Sequence, residues 1–388
     1  MLACCRFFMF QRAFAKLKQE VNFYFSGVAA IFKHLYRNLP MPQKFISTAL
    51  HLVLLSAALL FSACNRQSRE QQQASGNPVI DGWYADPEIA IFDEHYWIFP
   101  TYSAPFEQQV FFNAFSSRDL VNWQIHERIL DTAEVKWAKK AMWAPCTVKK
   151  GDQYFLFFAA NDLQRPVSKW WNPDIHSLDD VGGIGVAVAD APEGPYRDYL
   201  SKPLTGEVYN AAQPIDQFVF KDSDGQYYII YGGWGRCNIG RLNGDFTALE
   251  PLEDGQLVKE ITPEGYVEGP VMFIRNGWYY LMWSEGNWTD GSYKVAYGRS
   301  RSLAGPFNKI DIVLESNAGI ATGAGHHSVL NIPGTDDWYM IYHRRPIPNE
   351  DRDHRVTCID RMYFNEEGLI QQVQMTREGV TARMLQKQ

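Results

Sequence analysis

Residues 216–233 read DQFVFKDSDGQYYIIYGG, and residues 268–286 read EGPVMFIRNGWYYLMWSEG. Each opens on a carboxylate, continues as a short apolar strand, turns at a Gly-containing corner and returns through residues dense in Tyr and Trp. That is the composition of a β-hairpin. The unit recurs at 86–102 (DPEIAIFDEHYWIFPTY), 145–161 (PCTVKKGDQYFLFFAAN) and 327–345 (HSVLNIPGTDDWYMIYHRR). Five copies of one aromatic hairpin make an internal repeat. Between them lie strand-like stretches such as GGIGVAVADAPEGPY and YKVAYGRSRSLAGPF, which share a Gly-Pro-aromatic ending. A hairpin plus two more strands is the size of a propeller blade. The sequence therefore predicts an all-β, five-bladed β-propeller over residues 78–388, as a single domain. A β-sandwich would have no reason to repeat the hairpin.

The rest of the composition agrees. Aromatics make up 14% of the 388 residues, with 12 Trp and 20 Tyr, which suits strands and sugar-binding surfaces. A net charge of −7 argues against nucleic acid as a partner. The aromatic content suits an oligo- or polysaccharide as the partner, and the chain is expected to be a monomer. Three scattered thiols after residue 64 (Cys146, Cys237 and Cys358) form neither a disulfide framework nor a metal motif.

The N-terminus reads as an address. Residues 45–63 are almost wholly apolar, follow Lys44 and end in Phe61-Ser62-Ala63-Cys64, which resembles a bacterial lipoprotein signal over 41–63 with Cys64 lipidated. Residues 1–40 then read as a mis-assigned extension ahead of Met41, and 64–77 as a polar tether. The expected location is a bacterial cell envelope, with the lipid as the sole membrane contact.

Aligning the hairpins on Ile89, Val148, Val219, Val271 and Val329 puts Asp86, Pro145, Asp216, Glu268 and His326 in one register, three residues earlier. The first strand of every blade lines the central channel, so these positions are expected to converge at one mouth. Three carboxylates and an imidazole in one pocket suit glycoside hydrolysis. That reaction needs one carboxylic acid for the departing oxygen and one carboxylate for water or the sugar. Like charge and burial separate the two pKa values.

On these motifs the chain resembles the family 43 glycoside hydrolases, five-bladed propellers that include arabinofuranosidases and xylosidases. DGWYADPEI (81–89), PIDQFVF (214–220) and VEGPVMF (267–273) match three family motifs in order. The resemblance implies Asp86 as general base, Asp216 as the residue that tunes the acid, and Glu268 as general acid. It further implies single displacement with inversion, acid and base standing roughly 6.5–9.5 Å apart. No cofactor is required. Gly325-His326-His327-Ser328 resembles the motif whose His helps hold a channel ion, commonly calcium, which makes His326 a candidate metal residue.

Second strands return to the same mouth, so Tyr102, Asn161, Trp234, Trp288 and the pair Arg344-Arg345 are expected at its rim. One of the two arginines, following a Tyr-His pair, resembles the family's substrate-contacting Arg. Trp83 and Trp143 precede first strands and are candidate sugar platforms. Cys146 stands after Trp143-Ala144-Pro145 where the family usually has an acidic or polar residue. The Trp-rich insertion at 162–182 is expected to overhang the mouth and favour exo action. Among substrates, α-L-arabinofuranoside comes first, with β-xyloside and galactoside or galactofuranoside behind it. A retaining glycosidase and a non-catalytic carbohydrate-binding propeller are the rival readings.

Overall fold

The computed structural model describes residues 73–162, 182–349 and 351–386. The extension, the signal and almost all of the 162–182 insertion lie outside the described residues. Among the described residues no helix is long and apolar enough to cross a membrane.

β-Branched and aromatic content with tight corners makes the hairpins fold as predicted, and their second strands are buried almost throughout rather than on alternate residues. Blade one comprises β1 (Tyr84–Phe92), β2 (His95–Tyr102), β3 (Phe111–Ser117) and β4 (Trp123–Asp131). Blade two comprises β5 (Trp143–Lys150), β6 (Gln153–Ala160), β7 (Gly183–Ala189) and β8 (Arg197–Asp198). Blade three comprises β9 (Phe218–Lys221), β10 (Tyr227–Tyr231) and β11 (Asn238–Leu242). Its outer strands β12 (Leu249–Glu250) and β13 (Val258–Glu260) both pair with β11. Blade four comprises β14 (Glu268–Arg275), β15 (Trp278–Glu285), β16 (Lys294–Ser300) and β17 (Lys309–Leu314). Blade five has β18 (Ala321–Asn331), β19 (Trp338–Pro346) and β20 (Val356–Met362). All five sheets are antiparallel meanders. The tight β14–β15 corner is Asn276-Gly277, with φ of 52° and 71°, the left-handed pair that a two-residue hairpin turn requires.

The first strands touch in the cyclic order β1, β5, β9, β14, β18 and back to β1. Each pair of neighbouring blades shares its own apolar core. Phe112, Trp137 and Phe158 sit between blades one and two. Phe157, Ile229 and Phe246 join two to three, and Ile239, Leu281 and Trp283 join three to four. Tyr297, Met340 and Tyr342 join four to five, and Ile98, Ile341 and Ile359 close five onto one.

Blade five departs from the four-strand expectation, since it has three strands of its own. Its free edge is covered by the start of the domain. The Val79 N–H donates to Thr357 O at 3.0 Å and the Tyr84 N–H to Arg355 O at 2.8 Å. Ahead of them Ser75, Gly76 and Asn77 donate to Val380, Glu378 and Arg377 carbonyls at 2.8–2.9 Å. Pairing the two ends of the domain closes the ring and leaves no open sheet edge there. The Asn77 side chain is the fastener. Its Oδ1 accepts the Ile359 N–H at 2.8 Å, and its Nδ2 reaches Ile359 O at 3.0 Å and Asp360 Oδ2 at 3.2 Å. Asn77→Ala leaves these backbone groups unpaired and is expected to cost about 2 kcal/mol of stability. A lowered denaturation midpoint with unchanged steepness is the result that checks it.

Candidate active site

Near the head of each first strand the chain makes a left-handed kink. Its apex residues are Asp86 (φ 47°), Ala144 (46°), Asp216 (54°), Gly269 (63°) and His326 (30°). In blades one, two, four and five the strand register skips at this point, which is a β-bulge. In blades one, two and five the apex N–H is bonded to a side chain of the preceding blade. Asp86 donates to His343 Nδ1 at 3.1 Å, Ala144 to Thr101 Oγ1 at 2.8 Å, and His326 to Ser284 Oγ at 3.0 Å. In blade four the Gly269 N–H lies toward the Asp216 carboxylate and favours its ionised form.

This corrects the alignment made from sequence. Asp86, Asp216 and His326 are true equivalents, but the apex in blade two is Ala144, and in blade four it is Gly269. Glu268 stands one residue earlier, paired with Ser284, where blade one has Ala85. The apolar anchors chosen in blades two and four were one residue out of register, because Ala144-Pro145 and Gly269-Pro270 are the counterparts of Asp86-Pro87.

The kinks deliver Asp86, Asp216, Glu268 and His326 to one open cavity of about 420 Å³. Phe106, Trp143, Ile215 and Trp288 form its apolar walls, and Arg355 its one cation among the described residues. The Arg355 guanidinium lies 3.4 Å from Asp86 Oδ1, donates through Nε to Ser103 Oγ at 2.9 Å and sits 5.0 Å from the Trp288 ring centre. His326 Nδ1 is 3.3 Å from Asp86 Oδ1 and 3.5 Å from Asp216 Oδ2. The Tyr293 hydroxyl donates to Glu268 Oε1 at 2.8 Å.

These surroundings separate the three acids. Burial opposes ionisation of Asp86, but Arg355, helped by His326 and His343, more than offsets it and holds the carboxyl far below its usual range. Burial pushes Glu268 up to about 7, with the charge of Asp86 adding to the rise and Tyr293 and Arg355 opposing it. Asp216 is raised well above its usual value by burial, then by Glu268 and Asp86. Burial keeps His343 neutral, its pKa lowered to about 4, and lowers that of His326. The pocket thus favours an ionised Asp86 and protonated Glu268 and Asp216, the division of labour that acid–base hydrolysis uses.

The predicted rim fares unevenly. Trp143 and Trp288 line the cavity. Trp143 donates its indole N–H to Gln109 and meets Phe106 edge-on. Trp83 lies outside the lining, 38% exposed and stacked on His354 with ring centres 4.2 Å apart. Trp234, half-buried, is likewise not a lining residue. Tyr102 stacks on Phe111, and the buried Asn161 side chain bonds the Lys139 and Trp137 backbone. Neither Arg344 nor Arg345 reaches the cavity. Arg344 donates to Thr376 O at 2.7 Å and Asn77 O at 3.3 Å, so it braces the ring closure. Arg345 packs on the backbone of Gly323.

The cationic residue of the pocket is Arg355, which the sequence reading missed, as it missed Tyr293. Both stand immediately before a third strand, β20 and β16. Strands alternate in direction, so a third strand starts at the mouth just as a first strand does. Counting third-strand starts would have found both.

The channel calcium implied by the resemblance would be held at His326 mainly through water, since calcium takes six to eight oxygen ligands. His326 already faces two carboxylates, and among the described residues no group of three or more His, Cys, Asp or Glu is placed to hold a metal. Buried side-chain atoms without a hydrogen-bond partner include both ring nitrogens of His327, Nε2 of His343, Oε1 of Gln217 and Oδ1 of Asp353.

Residues 75–370 match the model for glycosyl hydrolases family 43. A β-D-galactofuranosidase of Aspergillus niger is 43% identical over 324 residues, covering 80% of this chain and 88% of that protein. A xylosidase/arabinosidase of Bacteroides ovatus is 28% identical over 313 residues, covering 68% and 87%. A solved α-L-arabinofuranosidase from Clostridium thermocellum superposes with a TM-score of 0.60 at 25% identity, covering 77% of this chain and 96% of the other. A match over most of a chain whose blades bring these carboxyl groups together settles the family: the chain belongs to family 43 of the glycosyl hydrolases and is a glycoside hydrolase.

Proposed function

We propose that the enzyme removes terminal β-D-galactofuranose residues from the ends of glycan chains by single displacement with inversion. The observation that carries the mechanism is the placement of Asp86 against Arg355 and of Glu268 against Tyr293 on one cavity. Asp86, kept ionised by Arg355, takes the proton of the attacking water. Glu268, kept protonated by burial, gives its proton to the departing glycosidic oxygen. Asp216, within the field of Glu268, supports that proton and orients the acid's strand through the Gly269 N–H. Phe106, Trp143 and Trp288 supply apolar faces for a sugar ring.

The similarity to the galactofuranosidase supports that sugar over the arabinofuranoside placed first from sequence. The two glycosides are close in shape. β-D-Galactofuranose and α-L-arabinofuranose share their ring configuration, and the former carries one extra hydroxymethyl carbon on its exocyclic arm. An α-L-arabinofuranoside is the second reading, supported by the xylosidase/arabinosidase relative. Aryl β-D-galactofuranoside is expected to exceed aryl α-L-arabinofuranoside and β-D-xyloside in kcat/KM. A reversed order would overturn the sugar assignment and leave the chemistry intact. Proton NMR is expected to show the inverted anomer released first.

Glu268→Gln and Asp86→Asn are each expected to lower kcat by about 10²–10⁴-fold. Full turnover by either would remove its assigned role. Arg355→Met tests the electrostatics. Asp86 must be ionised, and losing the neighbouring guanidinium raises its pKa, so the acid limb of kcat/KM is expected to move up by about one unit or more. An unmoved limb would show that Arg355 does not set the base.

A further inference from the structure

Tyr293 is the one phenol hydrogen-bonded to Glu268 among the described residues, and its ring is wedged between three parts of the site. Its hydroxyl donates to Glu268 Oε1 at 2.8 Å. One face lies nearly parallel to His343, at 14° and 5.7 Å between ring centres. His343 in turn accepts the backbone N–H of Asp86. The ring edge presses on Gly325, where an added Cβ would stand 2.2 Å from Tyr293 Cδ1. Glycine at 325 is thus what leaves room for the ring beside His326. A fully buried hydroxyl aimed at an acid, on a ring packed against the residue that ties down the base, has more than a filling role.

We infer that Tyr293 is a positioning residue that holds Glu268 by one oxygen and so fixes the transferable proton on the other. A phenol that donates to Oε1 occupies that oxygen's lone pair. The proton of the neutral acid then resides on Oε2, the oxygen left for the glycosidic bond. The same bond favours the carboxylate once the proton has gone, since an O–H donor stabilises an anion more than a neutral acid. Tyr293 therefore eases proton donation and sets the upper pH at which Glu268 is still an acid. The other groups facing Glu268 are Asp86 on β1, Asp216 ahead of β9, Tyr266 ahead of β14, His326 on β18 and Arg355 ahead of β20. Asp86 opposes ionisation of Glu268, and Arg355 favours it from across the cavity. Tyr293 alone does so through a direct hydrogen bond among the side chains described.

The inference rests on Glu268 as general acid, and the test separates the two. Tyr293→Phe keeps the ring on Gly325 and His343 and removes only the donor. The alkaline limb of kcat/KM is expected to move up by about one unit. Turnover of a glycoside with a poor leaving group is expected to fall about tenfold, and that of an activated aryl glycoside markedly less, because only the former needs the proton. 3-Fluorotyrosine at position 293, a stronger donor of nearly the same shape, is expected to move the limb the other way. It serves equally should the Phe variant not fold. Equal losses on both glycosides with an unmoved limb would overturn the inference and reduce Tyr293 to packing. If Glu268→Gln itself shows no dependence on leaving group, the acid assignment fails instead.

Discussion

Everything in this molecule that does chemistry hangs on the left-handed kink near the head of each first strand. A non-glycine residue with positive φ costs of order 1 kcal/mol or more and persists only where its surroundings enforce it. Here the enforcement comes from the next blade round. In blades one, two and five the apex N–H finds His343, Thr101 or Ser284 on the blade before it, and in blade four it lies toward the Asp216 carboxylate. One bond therefore satisfies a buried donor, locks the turn and fixes the spacing between blades. It also turns the apex side chain toward the axis, which is how Asp86, Asp216 and His326 come to face one another.

The ring of kinks is nearly symmetric, yet the pocket built on it is not. Blades two and four place Ala144 and Gly269 at the apex, and neither can titrate. Blade four supplies its acid from the preceding position, which lies one step along the strand and hydrogen-bonds a tyrosine. Charge is asymmetric as well. One guanidinium, Arg355, stands beside Asp86, while the far side relies on burial and carboxyl–carboxyl repulsion. In a low-dielectric cavity that difference suffices to ionise one acid and keep the other protonated, though all begin as ordinary carboxyl groups.

The closure of the ring shows a similar economy. Blade five lacks a strand, and residues 77–84 from the start of the domain take up its free hydrogen bonds. Arg344, expected at the sugar, braces this seam from inside through Thr376 and Asn77. Arg355, whose carbonyl takes part in the seam, is the arginine that reaches the pocket. Two arginines of one blade, Arg344 and Arg355, thus divide structural and electrostatic duties, and the Arg344-Arg345 motif contains only the first of them.

The sequence by itself determined the hairpins, their fivefold repetition and the meeting of Asp86, Asp216, Glu268 and His326, because strand period, turn chemistry and repeat order are all local properties. It located those acids well despite misjudging the register of blades two and four, since a one-residue bulge does not change which end of a strand a residue occupies. What it did not contain was which strand ends meet. Arg355 of blade five touches Asp86 of blade one, 269 residues away, and Tyr293 touches Glu268 within blade four, 25 residues away, both through the starts of third strands, and no short motif records that. The protonation of each acid was likewise decided only by tertiary structure. A carboxyl's pKa depends on burial and on the charges within a few ångströms, and only the closed ring brings those together.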